Sequence, residues 1–241
     1  MRLKKEDFVG KVFENSLGLE FEIIDLKSYY DVTVRFKVSS FTTTARLDHI
    51  KRGAVRDRFH RENFGVGYLG SMDGIVDHQR LRSKWSGMLN RCYNHKYHER
   101  KPTYRDCSVS EYFQNFTNFY YWANAQVGFD IVGWELDKDI LIRGNNVYSE
   151  DTCVFVPREI NTLIFNSDGK FSGVRFDNNS NKWHVRVNKL GVSLSFGYYE
   201  DKDTAMKLYT REKENVIREV AEKWKGKIDE RAYDALISWN I

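Results

Sequence analysis

Alternation of apolar and polar residues is clearest between residues 20 and 38. Val32, Val34, Phe36 and Val38 fall on one side of an extended segment, and Thr33, Arg35 and Lys37 on the other, which predicts a half-buried strand. Phe21–Asp25 is rich in aromatic and β-branched residues and predicts another strand. Gly10, the stretch 15–18 and Gly53 punctuate the region as turns. A run of short strands over residues 8–52 predicts a small barrel or curled sheet. The period then changes. Leu81, Trp85, Met88, Leu89 and Cys92 recur at three- and four-residue spacing, predicting a helix from about Asp77 to Tyr93. Ser110 is placed to cap a second helix running through Tyr112, Phe113, Phe116, Phe119, Tyr120 and Trp122. Its aromatic stripe has the spacing of a buried face.

Residues 134–166 predict strand, turn, strand, helix. Leu136–Ile142 and Cys153–Val156 are the strands, the turn lies at 143–146, and Pro157 suits the first position of a short helix. Three further strands follow, Phe171–Phe176, Lys182–Asn188 and Val192–Tyr198. A helix capped by Asp201 or Asp203 comes next, with the apolar stripe Ala205, Leu208, Tyr209, Val216, Val220 and Trp224, then a short terminal helix over 229–239. The expected fold class is α+β in three parts. Residues 1–70 form a small β-domain with a basic arm, residues 71–166 a module of helices and a ββα unit, and residues 167–241 a three-stranded antiparallel sheet packed on a helix.

Composition narrows the partners. Of 241 residues 41% are hydrophobic, yet no apolar run approaches the ~18 residues of a membrane span, and the basic N-terminus lacks the apolar core of an export signal. Three cysteines (Cys92, Cys107, Cys153) make no disulfide scaffold and are expected to be reduced. Net charge is +4. Residues 1–70 hold 13 basic and 10 acidic side chains, residues 71–165 hold 11 and 12, and residues 166–241 hold 14 and 12. Basic flanks around an acidic centre suit a metal-dependent site held against a phosphate backbone, and equally suit ordinary surface charge. The stretch from Gly53 to Gly74, with Arg56, Arg58 and Arg61, fits either a basic arm lying along a nucleic acid or a solvated connector.

Two constellations carry candidate chemistry. Glu135, Asp137 and Asp139 alternate with Leu136, Lys138 and Ile140, so three carboxylates would share one strand face. Asn161 on the following helix could add an amide oxygen. Oxygen donors of this kind suit Mg²⁺ or Mn²⁺, and an exposed acidic face is the plain alternative. Cys92, His95 or His98, and Cys107 offer a zinc-like spacing, against buried thiols with exposed histidines.

The motifs Trp85-x-x-Met88-x-x-Arg91-Cys92-Tyr93, Cys107-x-Val109, Phe116-x-x-Phe119-x-x-Trp122, Leu136-Asp137-Lys138-Asp139, Tyr148-Ser149, Cys153-Val154-Phe155-Val156-Pro157 and Ile160-Asn161 resemble phage-encoded HNH-type proteins related to homing endonucleases. The resemblance covers about residues 78–166. It implies a ββα-metal finger that binds one divalent ion and nicks or cuts DNA, in the cytoplasm of a host cell. Asp137 matches the metal-ligating aspartate and Asn161 the last ligand of the helix. Where active members place the general-base histidine, this chain has Lys138. An ordinary lysine is a cation near neutral pH and takes no proton from water. The resemblance therefore leaves open a metal-dependent nuclease, a DNA-binding regulator that has lost cleavage, and a protein-binding antagonist of a host defence factor.

Ser172-Gly173-Val174-Arg175, Lys182-Trp183-x-Val185-x-Val187, Phe196-Gly197-Tyr198-Tyr199 and Thr204-Ala205-x-x-Leu208-Tyr209 resemble the Apetala-type DNA-binding domain. That family lays a three-stranded sheet in the major groove of double-stranded DNA with a helix behind. Alternation agrees. Trp183, Val185 and Val187 would face the helix, and His184, Arg186 and Asn188 would face outward, joined by Arg175, Ser193 and Ser195. Lys182 and Lys189 would meet phosphates. A sheet face that is merely polar is the alternative.

Overall fold

In a computed structural model of the chain, residues 4–76, 78–164 and 173–241 are described. Asp77, the expected start of the first long helix, and Phe171 and Ser172, the expected start of a C-terminal strand, lie outside them, as does the expected boundary near residue 166. Helices and strands are mixed, and the chain divides into two compact units. One comprises residues 1–90 with 114–119, the other residues 91–113 with 120–241.

The first unit is built on an antiparallel meander, β1 (Val12–Glu14), β2 (Glu20–Ser28), β3 (Asp31–Phe36) and β4 (Thr42–Ala45), followed by the short helix α1 (Leu47–Lys51). The expected alternation holds on β3, where Val32, Val34 and Phe36 are buried with Phe21, Ile23, Leu26, Leu47, Ile50 and Val55. Register places Phe21 opposite Phe36 and Ile23 opposite Val34, so one face supplies the core. Val38 departs from the expectation. The strand ends at Phe36, whose carbonyl accepts the Ser40 amide at 3.0 Å, and the turn leaves Val38 93% exposed. The expected basic arm is a folded loop. Arg58 donates to the Ser71 carbonyl at 2.8 Å, and Arg61 to the Val66 carbonyl at 2.9 Å and to the Gln114 side chain.

Helix α2 (Gln79–Tyr93) buries Leu81, Trp85, Met88 and Leu89, the expected stripe, and the Trp85 ring lies 5.4 Å from Phe116. It is followed by α3 (His95–Arg100) and β5 (Ser108–Val109). The aromatic helix expected from Ser110 is in fact two, α4 (Glu111–Gln114) and α5 (Phe116–Asn124). Ser110 caps the first by accepting the Phe113 amide. Asn115 interrupts the run because its Oδ1 takes the Thr117 amide at 2.9 Å. Phe113, Phe116 and Phe119 are fully buried, as the stripe requires.

In the second unit, β6 (Trp134–Asp137) pairs antiparallel with β8 (Val154–Pro157), and β7 (Val147–Tyr148) pairs in parallel with β5. Helix α6 (Arg158–Ile164) follows at once. Pro157 therefore closes the strand opposite Trp134 instead of opening the helix. The C-terminal part is a second meander, β9 (Val174–Asp177), β10 (Lys182–Lys189) and β11 (Val192–Tyr199), with β10 central. Its helix α7 (Lys202–Trp224) is capped by Asp201, whose Oδ2 accepts the Thr204 amide at 2.7 Å. Helix α8 (Glu230–Ile237) ends the chain. Val185 and Val187 of β10 are buried with Ala205, Tyr209, Val216 and Val220 of α7, which sits against this strand. No helix among the described residues is long and apolar enough to cross a membrane.

Candidate functional site

The ββα unit places the candidate metal ligands first. Asp137 ends β6 and is buried, and its Oδ1 accepts the backbone amides of Asp139 at 2.7 Å and Ile140 at 2.8 Å. The strand stops there because the side chain offers the backbone a turn in place of a ladder. Burial pushes the Asp137 carboxyl above the ordinary range, against the opposing pull of those two amides. The expected strand to Ile142 is cut short for the same reason.

Lys138 is 6% exposed. Its Nζ donates to Asp139 Oδ1 and to the Asn145 carbonyl, both at 2.6 Å, and lies 5.8 Å over the Tyr148 ring. Asn145 answers by donating Nδ2 to the Lys138 carbonyl at 2.8 Å. The loop from 138 to 145 is thereby clamped at both ends. An ammonium with donors only, held by a carboxylate and a carbonyl, has no lone pair to offer water.

Asn161, on α6, donates its Nδ2 to Glu135, whose other oxygen lies 3.8 Å from Arg158 Nε. The expected row of three carboxylates is thus dispersed. Glu135 goes to Asn161 and Arg158, Asp137 to two amides, and Asp139 to Lys138. Mg²⁺ or Mn²⁺ takes oxygen donors. Asn161 turns its amino group toward the neighbouring carboxylate, and one Asp137 oxygen already serves two amides. Asp137 Oδ1 and Asn161 Nδ2 thus serve the unit's own hydrogen bonds. Among the described residues no three His, Cys, Asp or Glu side chains are grouped as for a metal.

The zinc-like spacing resolves into structural roles. Cys92 and Cys107 are buried, and burial pushes the Cys92 thiol up to about 12. His95 is exposed as expected, but His98 is buried and donates its Nε2–H to the Arg91 carbonyl at 2.8 Å, completing the end of α2.

The C-terminal sheet contrasts with this. Arg175 stands opposite His184, His184 opposite Tyr198, Arg186 opposite Ser195 and Asn188 opposite Ser193, so these seven side chains share the face away from α7. Arg175, Arg186, Asn188, Ser193 and Ser195 are exposed. Among the described residues no carboxylate pairs with Arg175 or Arg186. Trp183 takes the helix side, with Lys202 5.3 Å over its ring. Arg175, Arg186 and Asn188 also line a concavity of about 780 Å³, together with Asp177 of β9 and with Glu159 of α6 and Lys213 of α7. The two lysines expected at phosphates are engaged elsewhere. Lys189 lies on the helix side and pairs with Glu219 of α7, and Lys182 pairs with Glu200 at 3.4 Å at one end of the sheet.

Tyr198 joins the outer face through a bulge. Between the pairs His184–Tyr198 and Arg186–Ser195, β11 carries one residue more than β10, and Gly197 adopts φ +103° there. The extra residue reverses the alternation, so Tyr198 lies beside Ser195 instead of opposite to it. Its ring stacks on His184 at 4.2 Å and 12°, and His184 Nε2 lies 2.8 Å from Ser195 Oγ. Strict period-two reading misses Tyr198, and Gly197 within an apolar strand is the signal that could have found it. Comparison with known proteins gives no match, whether to family models, curated proteins or solved structures.

Proposed function

We propose that this chain binds double-stranded DNA through the outer face of β9, β10 and β11, and that its ββα unit is a folded support that does not cut. One observation carries this: Arg175 and Arg186 project from one face of a three-stranded sheet with no carboxylate partner among the described residues. A guanidinium in that setting is available for bidentate contact with guanine O6 and N7. Serine hydroxyls beside it let a sugar–phosphate backbone come close. In the register of the sheet the acidic groups of the same face, Asp177 and Glu200, fall at the Lys182 end. The support role follows from the hydrogen bonds of Asp137, Lys138 and Asn161, each of which joins the unit to itself.

The test is a salt titration of duplex binding by the whole chain. Arg186→Ala is expected to weaken binding about 10- to 100-fold, the scale of removing one bidentate arginine–guanine pair. Equal affinity for Arg186→Ala, Arg175→Ala and the parent would remove the sheet from the interface and leave a protein partner as the better reading. Supercoiled plasmid with Mg²⁺ is expected to stay intact. Nicking that disappears in both Asp137→Ala and Asn161→Ala would overturn the support role.

A further inference from the structure

The positive charge of the first unit is concentrated in one place. Residues 46–61 hold six Lys or Arg and two Asp or Glu, whereas all of residues 1–70 hold 13 and 10, so the remainder is slightly acidic. The structure gathers part of this charge beside an exposed aromatic pair. Tyr29 and Tyr30 form the two-residue tip between β2 and β3. Tyr30 is 68% exposed and Tyr29 38%, and their rings meet edge to face at 5.2 Å. The Tyr29 carbonyl accepts the Leu47 amide at 2.9 Å, which fixes the tip against the start of α1. Arg46 lies over the Tyr30 ring at 5.1 Å.

Arg46 and Arg52 both meet a single carboxylate, Asp48, at 3.0 and 3.1 Å, so this cluster keeps a net positive charge. Lys51, on the same short helix, lies 5.9 Å over Phe8, which Lys11 also approaches at 5.6 Å. Among the described residues no carboxylate pairs with Lys51, Lys11 or Arg56. An exposed ring already carrying a guanidinium, flanked by Arg52, Lys51 and Lys11 against Asp48 and an Asp31 that Lys27 meets at 3.8 Å, matches what an unpaired strand requires. Bases have an exposed π-face to stack and phosphates need cations beside it, whereas a duplex hides its base faces.

We infer that the β2–β3 tip and α1 form a second nucleic-acid contact, one that takes single-stranded DNA, with a base stacked on Tyr30 and phosphates at Arg46, Lys51 and Arg52. This contact belongs to the first unit, and the inference does not rest on the sheet of the second. The experiment uses the whole chain and a labelled oligothymidylate of roughly twenty nucleotides, chosen because it forms no duplex, read by fluorescence anisotropy at low salt. Tyr30→Ser is expected to weaken binding about 5- to 100-fold, while Tyr30→Phe keeps it within about twofold because the ring remains. Arg46→Gln with Arg52→Gln should flatten the salt slope by about 0.7 for each phosphate that is no longer neutralised. No binding by the parent chain, or Tyr30→Ser within about twofold of it, overturns the inference, as does an equal loss in Tyr30→Phe. Lys189→Ala, whose ammonium is already held by Glu219, should leave binding of the same oligothymidylate within about twofold. A sheet that fails its duplex test and a tip that fails this one are therefore told apart.

Discussion

Lys138 and Arg186 carry the same charge on neighbouring stretches of chain and meet opposite surroundings. Lys138 is closed in by Asp139, the Asn145 carbonyl and the face of Tyr148, and little of it touches solvent. Arg186 stands on an open sheet face with a serine and a histidine as its neighbours. Both belong to motifs that suggest DNA chemistry, yet Lys138 is enclosed with two of its three N–H donors committed, whereas among the described residues no carboxylate pairs with Arg186. The difference teaches a rule that applies to Asp137 and Asn161 as well. A polar side chain is available to a ligand in proportion to the hydrogen-bonding capacity its own fold leaves unused.

Asp137 offers the hardest test of that rule. Asp137→Ala would orphan two amides in a buried turn, and at about 1–3 kcal/mol for each group left unsatisfied the loss should total about 2–6 kcal/mol. Urea unfolding measures it. Asp137→Asn retains a carbonyl oxygen in the same place and should lose far less. Because burial raises the carboxyl above its unfolded value, the protonated form is the one favoured in the fold. Its stabilising contribution is full below the unfolded value near 3.8 and declines as pH rises through the raised folded value. The parent should therefore lose ground against Asp137→Asn as pH increases over that window. Duplex affinity of the folded variants should equal that of the parent. A metal ligand would behave otherwise, since replacing a carboxylate by an amide removes charge from the ion's shell.

Gly173 sharpens the other side of the comparison. Its carbonyl accepts the Arg186 amide at 2.7 Å, and a Cβ added there would lie 2.0 Å from the Arg186 carbonyl and 2.3 Å from the Tyr209 ring. Neither neighbour can yield without moving β10 or the core beneath it. Gly173→Ala is expected to cost about 1–3 kcal/mol in unfolding measurements, the usual range for overpacking. It should also weaken duplex binding, because the displaced strand carries Arg186. Intact binding in a destabilised Gly173→Ala would show that the position of Arg186 is immaterial and would count against the sheet as the contact.

What the sequence made legible follows from which forces act locally. The faces of β3 and β10, the burial of Trp85, Met88 and Leu89, and the capping by Ser110 and Asp201 all depend on period or on a neighbour a few residues away. Three things were hidden. Asn115 splits the aromatic helix by a side-chain bond that competes with the backbone, although its spacing continues the stripe. Asp137 looks like one of a row of carboxylates, and only its turn shows that its oxygen faces the chain's own amides. The bulge at Gly197 moves Tyr198 to the face opposite the one alternation assigns. In each case the deciding contact is a hydrogen bond or a register shift, which a pattern of hydrophobicity does not encode.

Lys189 gives the smallest effect and the finest discrimination. It follows Asn188 directly, so a charge-based view of the sheet assigns it to phosphate alongside Arg186. Strand alternation turns it instead toward α7, where Glu219 takes its ammonium. An exposed pair of this kind contributes about 0–1 kcal/mol, so Lys189→Ala should barely move the unfolding midpoint. Duplex affinity should stay within about twofold and the salt slope should stay level, because no counterion is released at a side chain that meets no phosphate, whereas loss of a true phosphate contact would lower it by about 0.9. If Lys189→Ala lowered the slope by that amount, the ion pair with Glu219 would have to open when DNA arrives. Availability would then be set by the bound state rather than by the partners the free fold supplies, and the contrast between Lys138 and Arg186 would lose its physical basis.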